Sequence, residues 1–399
     1  MPPCWSRRNR LTCSLSPSRR TTGVCRALRA VEERRPNEVV FKGGTSLEKL
    51  RIIQRFSEDL DLLSVSDLPK LKDAKRVMKD LCEVAAQDLQ GELTDPKSGG
   101  IDGTATQKAY VNPPLVHTEE GSTALADNRR ILLEFGQAGS ENPSERRPVE
   151  SLLAQTLRGA DGSVEVDAYW DLEQFDTRIL HPGRTLIEKL LRVNNFAVRA
   201  DDDEHGWPRI GRQFYDLWAL LGSSEVLAFL EDRTQVRRIY DDCRRVSIGY
   251  RSDEEVPRGG FASCALFDLT WPRAGRLRDE HEATMRDLYY SDAELAPTFD
   301  DVLERIQEHR ELLVVVAKSS RPLGSLDVTP RTDWLGAPAL EFCSLAGLDS
   351  ARSPWRRERD SNPRWLSPRW FSRPVHSSAL PSLRATTRSD LASAHGTPP

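Results

Sequence analysis

Two aspartates one residue apart, Asp59 and Asp61, close the stretch KGGTSLEKLRIIQRFSEDLDL, which opens on Lys42, Gly43 and Gly44. In a strand, side chains at i and i+2 share a face. DLDLLSV therefore aims both carboxylates one way and sends Leu60 and Leu62 into the core. Carboxylates about 7 Å apart repel unless a cation lies between them. Mg²⁺ suits that place, because it takes oxygen ligands and needs only one or two protein carboxylates beside substrate phosphates. EVVF (Glu38 to Phe41) reads as a buried strand. A glycine pair between strand and helix turns tightly and frees backbone N–H groups for phosphate oxygens. Thr45 or Ser46 adds a hydroxyl, as a helix cap or a phosphate donor. Each half alone is common: strand-to-helix turns use glycine for geometry, and a solvent-facing strand explains two ordinary aspartates. Together they describe a turn that holds a nucleotide's phosphates and acids that hold the metal.

Such chemistry often uses a third carboxylate, to bind a second metal or to activate the attacking hydroxyl. Glu134 in ILLEFG is the candidate, since an unpaired acid between apolar flanks is costly. The other readings of Glu134 are an edge position facing water, or a pair with Arg129 or Arg130.

The elements that must carry these residues fall into four zones of the 399-residue chain, enough for roughly two to three domains. Residues 1–24 show no periodicity and read as disordered or aberrant. Residues 25–175 mix patterns: a short helix in GVCRALRAVEE, the strands EVVF and DLDLLSV, and a helix with Leu47, Leu50 and Ile53 at helical spacing. A longer helix follows, with Asp67 as cap, Pro69 in its first turn, and Leu71, Met78, Leu81, Val84, Ala85 and Leu89 as its apolar stripe. Gly91 to Gly103 reads as a loop, and KAYVNPPLV, RRILLEFG and SVEVDAYW as strands. Residues 176–317 are mostly helical: HPGRTLIEKLLRVNNFAV, RQFYDLWALLG with Gly222 as its stop, SEVLAFLEDRTQVRRIYDDCRRV and TFDDVLERIQEHRELLVVVA. Residues 318–399 are rich in Arg, Ser and Pro, with Trp355, Trp365 and Trp370 lacking apolar neighbours. That tail reads as disordered, like translated non-coding DNA; RNA binding by stacking and phosphate contact is the other reading.

Composition excludes some classes. Hydrophobic residues are 38% and charged residues 30%, and the net charge of −4 gives no global drive toward nucleic acid. No apolar run is long enough to span a bilayer. The basic start lacks a signal peptide's apolar core and the amphipathic stripe of a transit peptide. The seven cysteines are scattered without a CxxC pair, which fits a reducing cytoplasm and suggests no zinc site. His205 sits in the acidic loop DDDEHGWP, where a solvated loop explains it without a metal.

Gly43, Gly44, Thr45 and Leu47, then Arg55, Phe56, Ser57, Asp59 and Asp61, resemble the signature of the AbiEii/AbiGii abortive-infection toxin family. This is a branch of the DNA-polymerase-β-like nucleotidyltransferases. RTLIEKL (Arg184 to Leu190) is similar to the family's second block and RQFYDLWAL (Arg212 to Leu220) to its third. The blocks stand in family order, and the similarity spans roughly Gly23 to Val316. The resemblance implies an α+β fold: a polymerase-β-like core of small mixed sheet and flanking helices, followed by a helical domain, with disordered termini. It implies transfer of a nucleoside monophosphate from an NTP, with GTP or CTP expected, to an acceptor hydroxyl, with pyrophosphate leaving. Mg²⁺ would sit on Asp59 and Asp61, with Glu134 beside them. Gly43, Gly44, Thr45, Ser46, Arg55 and Lys189 would hold the nucleotide, and Asp216 would complete the site. The acceptor would be tRNA or another RNA. A cognate antitoxin, which need not touch the toxin, is implied as partner, and the cytoplasm as compartment.

The residues leave alternatives open. Lys189 is also explained as a solvated helix lysine, and Arg212 with Asp216 as an i, i+4 salt bridge. Arg55 pairs with Asp59 or steadies its loop; Arg184 binds phosphate or serves structure. A groove for RNA would draw on Arg192, Arg199, Arg237, Arg238, Arg244 and Arg245. PSRRTT stands where the family carries a well-formed helix. Two further functions follow: the same fold acting on a small molecule of the antibiotic type, or an inactive remnant with damaged ends.

Overall fold

The computed structural model describes residues 15–315, except 58, 66–67, 69, 101–102, 115–129, 160–165, 201–205, 250–255 and 258. A continuous buried apolar run in VVFK and alternation in DLDL build β1 (Val39–Lys42) and β2 (Asp59–Ser64), which pair antiparallel. Phe41, Leu60 and Leu62 face one way and are fully buried or nearly so. Against that face pack α1 (Leu15–Arg34), through Val24, Leu28 and Val31, and α3 (Leu71–Asp88), through Met78, Leu81 and Ala85. Between β1 and β2 runs the short α2 (Gly43–Lys49). Two antiparallel strands, β3 (Glu92–Gly99) and β4 (Thr106–Asn112), lead into β5 (Ile131–Gly136), which lies antiparallel to β4 and parallel to β2. The other side is completed by β6 (Ser144–Val149) and β7 (Phe175–Leu180), with α4 (Leu152–Gly159) between them. The mixed sheet runs β3-β4-β5-β2-β1-β7-β6.

A helical layer follows: α5 (Pro182–Arg199), α6 (Trp207–Leu221), α7 (Ser224–Glu231), α8 (Arg233–Gly249), α9 (Ala274–Leu288) and α10 (Phe299–Glu308). Its core joins Leu186, Leu190, Phe214, Leu217 and Phe299 to Leu47 and Ile53, which flank the turn after α2. The segment between the glycines and the aspartates is thus packed into the helical layer. This layer and the sheet share one compact unit, Met1–Ala339. Among the described residues no helix is long and apolar enough to cross a membrane.

The structure differs from the sequence reading in several elements. Helix α1 starts at Leu15, so PSRRTT is helical and the patternless start is shorter than 24 residues. Gly91 to Gly103 is mostly strand: β3 is an edge strand, largely exposed, carrying Pro96 and a register break between Thr94 and Lys97. Edge strands accept such residues because one side of their backbone needs no partner. SERRPV, β6, sits at the opposite edge and showed no alternation for the same reason. The described part of SVEVDAYW is a single 3-10 turn, Val166–Ala168, with Val166 packed on Ala154 and Leu172. β7 belongs to the sheet, so the sheet reaches Leu180 rather than ending at 175. Leu71 is 40% exposed, outside the stripe, with Val77 buried in its stead; Asp67 and Pro69 lie outside the described residues.

Candidate active site

Strand register sets four charges in one row across four neighbouring strands. Lys42 on β1 is opposite Asp61 on β2, Asp61 is opposite Glu134 on β5, and Glu134 is opposite Lys108 on β4. Asp59 lies one pleat along β2, on the same face. The row lies on the face away from α1 and α3, where Leu60 and Leu62 cannot follow because successive side chains alternate. Glu134 is therefore central, and its partner is Lys108 at 2.5 Å. Arg130 instead pairs with Asp95 at 3.3 Å; Arg129 lies outside the described residues.

Three acids converging on one face perturb each other. Burial drives the Asp61 carboxyl up to about 7, the Glu134 and Asp59 charges add to this, and Lys42 and Arg192 oppose it. Burial pushes Glu134 the same way, but the Lys108 ammonium and hydrogen bonds with Lys108 and Asp61 outweigh it and hold Glu134 below its ordinary value. Among the described residues no three acid, histidine or cysteine side chains already close on one cation position. Asp59 and Asp61 nonetheless match the donor set of Mg²⁺, which uses one or two protein carboxylates when phosphates supply the rest. A divalent cation there would also offset the burial and the neighbouring charges that raise Asp61.

The glycine turn is built against the acids. Gly43 has φ +78°, and a Cβ there would lie 2.2 Å from Asp61 Oδ2. A Cβ on Gly44 would lie 3.0 Å from Ser57 Oγ and 3.1 Å from an Arg55 guanidinium nitrogen. Gly43→Ala should therefore displace the Asp61 carboxylate as well as cost about 1–2 kcal/mol of backbone strain. The expected outcome is transfer reduced at least a hundredfold with a folded chain, checked by activity beside circular dichroism; wild-type activity would overturn the turn's role. Thr45 and Ser46 are buried, and their hydroxyls donate inward, to Asp59 O at 2.5 Å and Gly43 O at 2.8 Å. They brace the turn, so neither hydroxyl is the free donor the sequence reading expected.

The helical layer grips the loop ahead of β2. Arg55 donates through two nitrogens to the two oxygens of Asp216 on α6, both at 2.7 Å, and through a third to Phe56 O at 2.9 Å. All its donor edges face protein, which corrects the expectation that Arg55 holds the nucleotide. The Gln54 N–H donates to the Tyr215 hydroxyl at 2.8 Å, Phe56 N–H to Leu288 O and Tyr290 N–H to Gln54 O, each at 3.0 Å. Asp216 is 0% exposed and also meets Lys189 Nζ at 2.6 Å, while Gln213 accepts from the same ammonium at 3.1 Å. Burial opposes ionisation of Asp216, yet Arg55 and Lys189 hold its carboxyl below the usual range. Burial also lowers Lys189, against the Asp216 charge that raises it. The partners of Asp216 come from outside its own helix, so a plain i, i+4 bridge does not describe it.

Arg184 is structural. It donates to Asp242 at 2.5 Å and to Asn142 O at 3.1 Å, and Asp242 also accepts from Ser140 N–H at 2.9 Å. The loop leaving β5 is thereby tied to α5 and α8. Glu188, between Arg184 at 3.4 Å and Lys42 at 3.8 Å, joins this brace to the charged row. Of the arginines expected to line a groove, Arg192 acts on Asp61, Glu134 and Lys189. Arg237 is held by Asp241, Arg245 by Asp242, and Arg199 donates to Asn195 O. Sequence reasoning passed over Lys42, Lys108 and Gln213. Lys108 carried a signal: it sits at an outward position of an alternating strand, opposite an acid between apolar residues.

A family model described as "Nucleotidyl transferase AbiEii toxin, Type IV TA system" matches residues 26–305. No curated protein matches the chain. Among solved structures, JHP933 from Helicobacter pylori is similar at 14% identity, covering 72% of this chain and 90% of that chain with a TM-score of 0.30.

Proposed function

The chain belongs to the AbiEii nucleotidyl transferase toxin family of type IV toxin–antitoxin systems, and from that premise we propose that it moves a nucleoside monophosphate from an NTP to an acceptor hydroxyl on RNA, with tRNA the expected substrate. The observation that carries this reading is the row Lys42–Asp61–Glu134–Lys108, with Asp59 beside it and the glycine turn against it. Acids alone would bind a cation; the flanking cations Lys42, Lys108, Lys189 and Arg192 suit an anionic substrate brought to that cation.

Asp59 and Asp61 would hold Mg²⁺, which when bound supplies charge neutralisation at the reacting phosphates. The residues of the chain do the rest. Backbone N–H groups at Gly43 and Gly44 face the triphosphate. Lys189 offers it a point charge, aimed by Asp216 and Gln213. Glu134, ionised because of Lys108, takes the proton of the acceptor hydroxyl as its oxygen bonds to the α-phosphorus. The bond from that phosphorus to the bridging oxygen of the β-phosphate breaks, and pyrophosphate leaves. Arg55 and Asp216 position the loop and Lys189; they are positioning residues. GTP or CTP is the donor we expect, the cytoplasm the compartment, and a cognate antitoxin the partner. We also propose the division into a transferase core over residues 25–175 and a helical domain over 176–317, the core extended to Leu180 by β7.

Purified protein is incubated with Mg²⁺, each α-³²P-labelled NTP in turn and total bacterial RNA, beside an Asp59→Asn control. Label in a tRNA-sized band, absent from the control, is the expected result. No label with any NTP, from protein that binds NTP, would overturn the RNA acceptor.

A further inference from the structure

Tyr110 stands on β4 two residues beyond Lys108, on the same face of the sheet. In register it lies opposite Leu132 on β5, and Leu132 lies opposite Asp59 on β2. The guanidinium of Arg130 covers one face of its ring, 4.3 Å from the centroid, and Arg130 is anchored to Asp95 on β3. Burial pushes its phenol up, the Arg130 charge opposes this, and the Asp59 and Glu134 charges add to it. The transfer chemistry derived above gives Tyr110 and Arg130 no task.

Their place across the sheet suggests one. The order β1, β2, β5, β4 sets out the glycine turn, the aspartate pair, the proton acceptor and then Lys108 with Tyr110. Attack is in line, so the acceptor hydroxyl lies opposite the departing pyrophosphate. With the triphosphate at the turn, the acceptor enters next to Glu134 from the β4 side. Two strand spacings, about 10 Å, separate β2 from β4, so the group bearing the hydroxyl extends over Tyr110.

We infer that Tyr110, backed by Arg130, is the stacking platform for the terminal nucleoside of a nucleic-acid acceptor, with Lys108 beside it for that strand's phosphates. A planar ring fixed from behind by a guanidinium, with a cation at its edge, is how single strands are gripped without base-specific hydrogen bonds. The inference rests on the transferase reading for where the acceptor enters.

The test uses the full chain and a fluorescein-labelled, mixed-sequence single-stranded RNA octamer without Mg²⁺ or NTP, read by anisotropy. NTP binding is measured separately by equilibrium dialysis. Tyr110→Leu should weaken octamer binding roughly five- to a hundredfold, the loss of one base stack, with NTP binding unchanged. Tyr110→Phe and Tyr110→Trp should bind within about threefold of the native chain, since each keeps a stacking face. Equal octamer binding by Tyr110→Leu, or a loss falling on the NTP instead, overturns the platform. If Tyr110→Leu fails to fold, octamer binding lost in a folded Tyr110→Phe does so. The two readings fail separately. RNA binding through Tyr110 without label transfer sinks the transferase and spares the platform; RNA labelling unchanged in Tyr110→Leu does the reverse.

Discussion

Asp61→Asn should lose transfer by on the order of a thousandfold while melting no earlier than the native chain. The activity loss follows from charge: an amide is a poorer ligand for Mg²⁺, and the cation contributes several kcal/mol at the reacting phosphates, each 1.36 kcal/mol being tenfold in rate. The retained stability follows from the row itself. Burial raises the Asp61 carboxyl most and the Glu134 and Asp59 charges add to it; an uncharged amide of the same shape escapes both penalties. Asp59→Asn should show the same loss. Native-like activity in both variants, by the labelling assay, would remove this face from the chemistry.

The same residue gives the metal-free chain a pH signature. The Asp61 carboxyl is raised from 3.8 to about 7 in the folded chain. Its folded value exceeds its unfolded one, so the folded chain holds the proton more tightly. That contribution to stability is complete below about pH 4 and is lost as pH rises through about 7. Three pH units correspond to roughly 4 kcal/mol, and the true change is a fraction of that because the carboxyl keeps part of its surface in water. Glu134 is shifted the other way and loses its contribution only as pH falls below its ordinary 4.5. Between pH 5 and about 6.5 His181 and His281, both lowered by burial, contribute a slope of the opposite sign, so the Asp61 effect is read as the difference between the native chain and Asp61→Asn. In EDTA the urea midpoint of the native chain should fall relative to that of Asp61→Asn between pH 5 and 7.5; parallel curves would contradict the raised Asp61 carboxyl.

What could be read from the sequence was local. Asp59 and Asp61 share a face because strand geometry fixes it, and Gly43 needs a conformation that glycine supplies. Both are visible within twenty residues of chain. Glu134 was legible as an acid between apolar neighbours, but its register against Asp61 is a property of the folded sheet. The grip of Tyr215, Tyr290 and Asp216 on the loop 53–57 was beyond reach for a plainer reason. Arg55 and Asp216 are 161 residues apart, and nothing in the spacing of either marks the other. The edge strands β3 and β6 were missed because an edge strand need not alternate. Arg184 shows another limit: the sequence left phosphate binding and a structural part open for it, and its buried ties to Asp242 and Asn142 O show a brace.

Asp216→Ala should both unfold the chain more easily and silence it, and the two effects can be separated. Removing the carboxylate leaves Arg55 and Lys189 buried without their counter-charge, and breaking such a pair costs about 3–5 kcal/mol. The loop 53–57 loses the Arg55 tie to α6 and keeps that of Gln54 to the Tyr215 hydroxyl, so the aim of the aspartates loosens, and Lys189 keeps only Gln213. A lowered urea midpoint with lost transfer would fit a merely structural residue equally well. The double variant Arg55→Met, Asp216→Leu distinguishes them, because replacing a buried ion pair by apolar groups of similar volume is often neutral in stability. It should regain the part of the midpoint that Arg55 accounts for, Lys189 staying buried with Gln213 alone, and yet transfer at least a hundredfold more slowly than the native chain, with weakened NTP binding, because Lys189 is no longer aimed. Recovery of activity along with stability would mean that Asp216 serves the fold alone and that the triphosphate is held elsewhere.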